Sequence, residues 1–336
     1  MFCGIYFAIF IAKPIAKDIY MKTLFILISA IIILFAEQVY AINYTFVELG
    51  TLGGDESEAY GINDSGQIVG KASNASNQGR AFLYENGTMS NLGTLGGSSS
   101  IANDINNNGL IAGQAYNSQG YFNAFLYESG SMANLGTFGG TTSSAVGINN
   151  AGLVAGSARD VSNLTRAFLY ENNQLNDLGT LGGLHSSAMG INNAGEVVGW
   201  AFTASSLQHA FLYENNTMYD LGTLGGTSSL ARSINDEGNI VGWAHTASQD
   251  QHAFLYQDGA MYDLNDFIDP ELDFTLYFAY DINEQGDIVG WGTNTNGDIR
   301  GFVLYNNETA PAVPEPATVI LLLCAFISLY GKKTTN

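Results

Sequence analysis

The strongest constraint on this chain is a period. The pattern Leu-Gly-Thr-x-Gly-Gly begins at Leu49, Leu92, Leu135, Leu178 and Leu221, each start 43 residues after the one before. Ile-Asn-x-x-Gly begins at Ile62, Ile105, Ile148, Ile191 and Ile234 with the same spacing, and a sixth copy follows at Ile282, 48 residues on. Phe-Leu-Tyr begins at Phe82, Phe125, Phe168, Phe211 and Phe254, with Phe302-Val303-Leu304-Tyr305 as the sixth. Self-similarity at such a period marks an array of stacked units that share one local structure, not a string of unrelated domains.

One unit shows what that structure is. Ser186 to Ile191 reads as a short strand, Asn192-Asn193-Ala194-Gly195 as a turn and Glu196 to Ala201 as a second strand. A polar loop, Phe202 to Gln208, leads to a third strand from His209 to Tyr213. Glu214-Asn215-Asn216 turns into a fourth, Thr217 to Leu221. Four short strands in a unit of this length point to a β-propeller blade. Tyr44 to Leu49 matches a fourth strand with nothing before it, and the last unit, Phe278 to Tyr305, holds three strands. The expected fold is therefore a six-bladed β-propeller closed by its N-terminal strand, which would remove the open edge of a linear array. A β-solenoid is the alternative.

Composition agrees. Glycine is abundant, at 40 residues, and charge is sparse, at 12%. Residues 42–312 carry 6 Lys and Arg against 28 Asp and Glu, a net charge of −22. Such a surface repels phosphate backbones and anionic lipid, which argues against nucleic acid as a partner. Cys3 and Cys324 both lie outside the repeats, so the repeat region must be stabilised by burial and strand pairing.

Three segments follow along the chain: a leader over 1–41, repeats over 42–310 and a C-terminal signal over 311–336. Met21-Lys22 opens an apolar run, Leu24 to Phe35, and Val39-Tyr40-Ala41 offers small residues at the positions a signal peptidase reads. Cleavage is expected after Ala41, and Met21 is the expected start of translation. At the other end, Val313-Pro314-Glu315-Pro316 precedes an apolar run, Ala317 to Tyr330, and then Lys332-Lys333. This resembles the PEP-CTERM sorting signal of Gram-negative bacteria. The resemblance implies an exosortase as partner, transient insertion in the inner membrane, and delivery to the cell surface or extracellular matrix, with a link to exopolysaccharide because such sorting systems accompany its production. The run spans about 21 Å as a helix, short of the roughly 30 Å hydrocarbon core. The two lysines favour a cytoplasmic end.

The units themselves resemble the HAF repeat family of bacterial extracellular proteins, named for a His-Ala-Phe triplet. It is literal at His209-Ala210-Phe211 and His252-Ala253-Phe254; elsewhere it becomes Arg80-Ala81-Phe82, Asn123-Ala124-Phe125, Arg166-Ala167-Phe168 and Arg300-Gly301-Phe302. The resemblance implies an exported repeat protein and no set activity. A histidine replaced by Arg or Asn in sister units is a polar strand residue, not a repeated catalytic base.

The most repeated residues are structural. Asn63 and its counterparts open every first turn and Gly66 and its counterparts close it: the Asn side chain bonds the backbone two residues on, and Gly takes positive φ at no steric cost. The glycine row from Gly70 to Gly290 is expected to allow close packing near the ring centre.

Candidate functional positions are those where units differ. After the Gly70-type glycine the chain carries Lys71, Gln114 and Ser157, then Trp200, Trp243 and Trp291. A second position changes from Ser90, Ala133 and Asn176 to Tyr219 and Tyr262. One sector of the array is therefore aromatic, suited to stacking on sugar rings or to burial against a partner protein; packing between blades is the structural alternative. The insertion between the fifth and sixth units carries Asp266, Asp269, Glu271 and Asp273, a set of oxygens that could hold calcium. No catalytic residue is assigned, for the chain has no Gly-x-Ser-x-Gly, His-Glu-x-x-His or phosphate loop. No other cofactor is expected. The sequence thus describes a non-enzymatic binding or structural propeller, with exopolysaccharide or a surface protein as partner. A glycan hydrolase or lyase and a calcium-dependent adhesin are the alternatives.

Overall fold

The computed structural model describes residues 46–306. The leader, Ala41, the Pro-Glu-Pro motif with Val313 and Lys332-Lys333 lie outside the described residues. The chain parts into Met1–Glu48 and Leu49–Asn336. Of the first part only Phe46–Glu48 is described, and it forms no strand. No helix among the described residues is long and apolar enough to cross a membrane.

The second part is all-β. Sheet 1 holds β1 (Gly53–Ile62), β2 (Ile68–Asn74), β3 (Gly79–Glu85) and β4 (Thr88–Asn91). Sheet 2 holds β5 (Gly96–Ile105), β6 (Ile111–Asn117), β7 (Phe122–Glu128) and β8 (Ser131–Gly136). Sheet 3 holds β9 (Gly139–Ile148), β10 (Val154–Asp160), β11 (Thr165–Glu171) and β12 (Gln174–Asp177). Sheet 4 holds β13 (Gly182–Ile191), β14 (Val197–Thr203), β15 (Gln208–Glu214) and β16 (Thr217–Gly222). Sheet 5 holds β17 (Gly225–Ile234), β18 (Ile240–Thr246), β19 (Gln251–Gln257) and β20 (Ala260–Asp263). Sheet 6 holds β21 (Phe274–Ile282), β22 (Ile288–Asn294) and β23 (Ile299–Leu304). Within each sheet neighbours in sequence are neighbours in space, and every pair is antiparallel. This is the up-and-down order of propeller blades; a solenoid would coil its strands through parallel stacks.

Two expectations need correction. The closing strand expected over 44–49 is not formed by its described part, and sheet 6 has three strands among the described residues. The first strand of a unit begins four residues earlier than the pattern suggested, because Gly182 still pairs with Thr203 across a bulge. A glycine-rich crossing can extend a strand where a bulge takes up the register shift.

Each sheet packs against the next. Val69 and Ala81 of sheet 1 are buried with Ala102, Ile105, Ile111 and Phe125 of sheet 2, and equivalent clusters follow at the next four seams. The third-strand phenylalanines Phe82, Phe125, Phe168, Phe211 and Phe254 are all fully buried. Each such ring removes on the order of 2–3 kcal/mol of apolar surface from water.

The glycine row is tight for a different reason from the one expected. A Cβ on Gly199 would lie 2.0 Å from the Ser187 carbonyl oxygen and 3.0 Å from the Phe211 ring. The close approach lies inside each sheet, where the first strand bulges, and not between sheets at the ring centre.

The asparagine turn also does more than its local chemistry suggests. Asn63 Oδ1 accepts the N–H groups of Ser65 and Gln67, at 3.1 and 3.0 Å, which is the expected local bond. Its Nδ2 donates to the Asn106 carbonyl of the next sheet. The same bond runs from Asn106 to Asn149, Asn149 to Asn192, Asn192 to Asn235 and Asn235 to Asn283, at 2.8–3.1 Å. Beside it, backbone N–H groups of Asp64, Asn107, Asn150 and Asn193 donate to the side-chain oxygen one unit ahead. A second ladder is made by serine: Ser100, Ser143, Ser186 and Ser229 accept from Ala81, Ala124, Ala167 and Ala210 of the preceding sheet. Each hydroxyl donates in turn to a carbonyl of the crossing loop, as Ser186 does to Gly179 at 2.6 Å. Buried polar groups are thereby satisfied at every one of these seams.

Candidate functional site

The aromatic sector is distributed over three sheets. Trp200 lies opposite Ser187 and Ala210, Trp243 opposite Leu230 and Ala253, and Trp291 opposite Phe278 and Gly301. All three are half-buried. Each meets an aromatic ring of its own sheet: Trp200 and Phe202 edge-on at 5.6 Å, Trp243 and His245 at 5.2 Å, Trp291 and Tyr277 stacked at 5.5 Å. The tryptophans thus share a register and do not converge on one point.

Strand parity shows which way they face. Val198 and Trp200 are two residues apart and share a face of sheet 4. Val198 and Ala210 pack against Ala231, Ile234 and Ile240 of sheet 5, so Trp200 faces that seam. Tyr219 lies opposite Leu212, which lies opposite Val198, and shares the same face. By the same pairing Trp243 and Tyr262 face the seam between sheets 5 and 6. Tyr219 and Tyr262 stand out on the rim, 46% and 42% exposed.

The seam between sheets 5 and 6 holds a feature the sequence did not suggest. A cavity of about 180 Å³ is lined by Leu255, Leu264, Phe267, Ile282, Ile288 and Leu304, with Asn239 and Gln257 among its polar groups. At the preceding seam this space is taken by Tyr256 and Met261. In sheet 6 Leu304 stands at the tyrosine position, and no fourth strand among the described residues supplies a methionine. Phe267, exposed on the inserted segment, meets Tyr262 edge-on at 6.1 Å beside this cavity. The signal that could have located it is the change from Phe-Leu-Tyr to Phe302-Val303-Leu304 together with the insertion.

The inserted acids do not gather. Leu264–Phe267 and Pro270–Leu272 form two short 3-10 turns, and Asp269 caps the second by accepting the Glu271 N–H at 2.9 Å. Asp273 ends that turn in the left-handed region at φ 46°. Among the described residues no three His, Cys, Asp or Glu side chains come together as a metal site. Asp266, Asp269, Glu271 and Asp273 are therefore not brought into one coordination sphere, and the carboxylate of Asp269 is taken up by its own turn.

The literal His-Ala-Phe histidines are ties between strands. His209 Nδ1 lies 2.8 Å from Asp220, and His252 Nδ1 lies 2.5 Å from Asp263, in each case from the third strand to an aspartate of the fourth.

One carboxylate has an unusual setting. Asp104, at the end of β5, accepts the Ile105 N–H at 2.8 Å and the Ile148 N–H of sheet 3 at 2.9 Å. Burial pushes its carboxyl up to about 6, against those two bonds, and the charge of Asp281 on sheet 6 adds to the rise. Asp281 accepts from Ser233 Oγ at 2.6 Å. Both oxygens of Asp104 are thus engaged by backbone, which makes it first of all a clamp between sheets 2 and 3.

No family model and no curated relative matches this chain. Among solved structures it is similar to the β-propeller domain of the trilobed protease from Pyrococcus furiosus, at 9% identity and a TM-score of 0.48, over 76% of this chain and 82% of that one. It is similar also to a gluconolactonase from Xanthomonas campestris, at 10% identity and a TM-score of 0.39, over 76% and 89%. A lectin from Aleuria aurantia matches at 11% identity and a TM-score of 0.37, over 79% and 100%. At these scores the likenesses say nothing of ligand or activity.

Proposed function

We propose that this propeller is a non-enzymatic binding module that holds a sugar ring of an extracellular polysaccharide at the seam between sheets 5 and 6. What carries this is a cavity with Phe267 in its wall, the exposed ring of Tyr262 edge-on to Phe267, and Trp243 further along the same face of sheet 5. An aromatic face stacks on the apolar face of a pyranose, while amides such as Asn239 and Gln257 offer both donors and acceptors to hydroxyl groups. The cavity is small against the roughly 300–1,000 Å³ of drug-sized pockets, which suits a single ring of a longer chain. The leader ending at Ala41 and the signal from Val313 to Lys333 would deliver the module outside the cell through signal peptidase and an exosortase, with a transient stay in the inner membrane.

The test is a glycan array probed with wild type, Trp243→Ala and Phe267→Ala. Binding to defined glycans that falls tenfold or more in both variants is expected. Equal binding by all three, or none by wild type, would overturn the sugar site. Mass spectrometry of the native protein checks its export: a chain from Ile42 to near Pro314 is expected, and retention of Lys332-Lys333 would refute exosortase processing.

Asp104 favours a second possibility, a carbohydrate-active enzyme. A buried carboxyl raised to about 6, with the charge of a second carboxylate, Asp281, adding to the rise, resembles the carboxyl pairs that divide acid and base roles. Product formation from a glycan, abolished by Asp104→Asn, would establish that activity in place of simple binding.

A further inference from the structure

Five seams join the six sheets: the fifth keeps the asparagine bond but has Leu276 at the serine position, and the first four are built alike. A seam takes an asparagine Nδ2 and an alanine N–H from one sheet and gives an asparagine carbonyl and a serine hydroxyl from the next. Sheets 1 and 6 each keep one half of this set unused. On sheet 6, Asn283 Nδ2 turns to Asp287 of its own loop, and Gly301 stands where the donating alanines stand. On sheet 1, Ser57 stands where the accepting serines stand and is exposed, in contrast to buried Ser100.

The apolar halves match in the same way. Ile62 is 67% exposed, whereas Ile105 and Ile148 at the same position are 4% and 6% exposed. Val289 and Val303 of sheet 6 are exposed, whereas at the same positions of sheet 1 Val69 is fully buried and Leu83 half-buried against sheet 2. The two end faces are therefore complementary by construction, since each repeats one side of an interface made four times in full among the described residues.

We propose that sheet 1 packs on sheet 6 of the same chain in a sixth seam of this design, closing the ring. Asn283 Nδ2 then donates to the Asn63 carbonyl, the Glu284 N–H to the Asp64 carboxylate and the Gly301 N–H to Ser57 Oγ. Ile62 is covered by Val289 and Val303. The same chain is the partner for two reasons. The charge of Asp281 already reaches Asp104 of sheet 2, so sheet 6 curves back toward the start of the array. A second copy brings a net charge of −20, and β1 presents Asp55, Glu56 and Glu58 against it. Chain connectivity supplies the in-chain partner at high effective concentration.

The test is thiol crosslinking of the full chain carrying Cys3→Ser and Cys324→Ser. Asp64→Cys with Glu284→Cys probes the sixth seam. Asn193→Cys with Asp236→Cys is the control, since those side chains meet at 2.8 Å across an existing seam. A short bis-thiol reagent should bridge both pairs within one monomer, to extents within about twofold of each other. A bridge in the control alone overturns the proposal, and so does a bridge at 64 and 284 found only between two copies. Independently, Ser57→Ala should lower the urea midpoint as Ser186→Ala does. A Ser57→Ala protein indistinguishable from wild type also overturns it.

Discussion

Replacing Ser186 by alanine removes one oxygen and tests the seam chemistry directly. Ser186 is fully buried; its hydroxyl accepts the Ala167 N–H at 2.9 Å and donates to the Gly179 carbonyl at 2.6 Å. Two bonds worth about 1 kcal/mol each are lost, and a buried N–H left without a partner costs about 1–3 kcal/mol more. Some of this is returned because alanine has no hydroxyl to desolvate, so a net loss of about 2–4 kcal/mol is expected. At roughly 2–4 °C per kcal/mol for a region of this size, the melting point should fall by about 4–16 °C. Urea unfolding gives the free energy, and hydrogen exchange at the Ala167 amide locates it. Ser98→Ala, on an exposed side chain, is the control and should stay within about 0.5 kcal/mol of wild type. A Ser186→Ala protein as stable as that control, with Ala167 still protected, would refute the serine ladder as a determinant of seam stability.

Other outcomes follow from the same structure. Gly199→Ala places a methyl against the Ser187 carbonyl and should cost about 3 kcal/mol or more, read as a large fall in the urea midpoint. Asp104 is held at about 6 in the folded chain against 3.8 unfolded, so its contribution is fully present below about pH 4 and is lost as pH rises through 6. Its part of the stability, up to about 3 kcal/mol, should vanish from the pH profile of Asp104→Asn. Because the inserted acids do not converge, chelation should move the melting point by less than about 2 °C; a larger shift would point to a calcium-dependent adhesin.

Much of the fold was legible in the spacing. The turn at Asn192 and Gly195 and the alternation around Phe211 are local, and each recurs often enough to fix strand number and order. Phe202 shows the limit: it looked like loop and belongs to β14, because its pairing with Gln208 lies across a hairpin whose tip is polar. The aromatic positions were visible as departures from the repeat. Their facing was not, since it follows from Val198 packing on Ile234 of the next sheet.

The sequence by itself determined six antiparallel units, an acidic surface and one aromatic sector, because each depends on composition or on contacts within a unit. Only the tertiary structure decided what joins the units. Asn63 looks like a turn residue, and its Nδ2 meets a carbonyl 43 residues away only after two sheets have stacked. The cavity at the last seam likewise lies beside a sheet with three strands among the described residues, a difference that has no volume until its neighbours are packed.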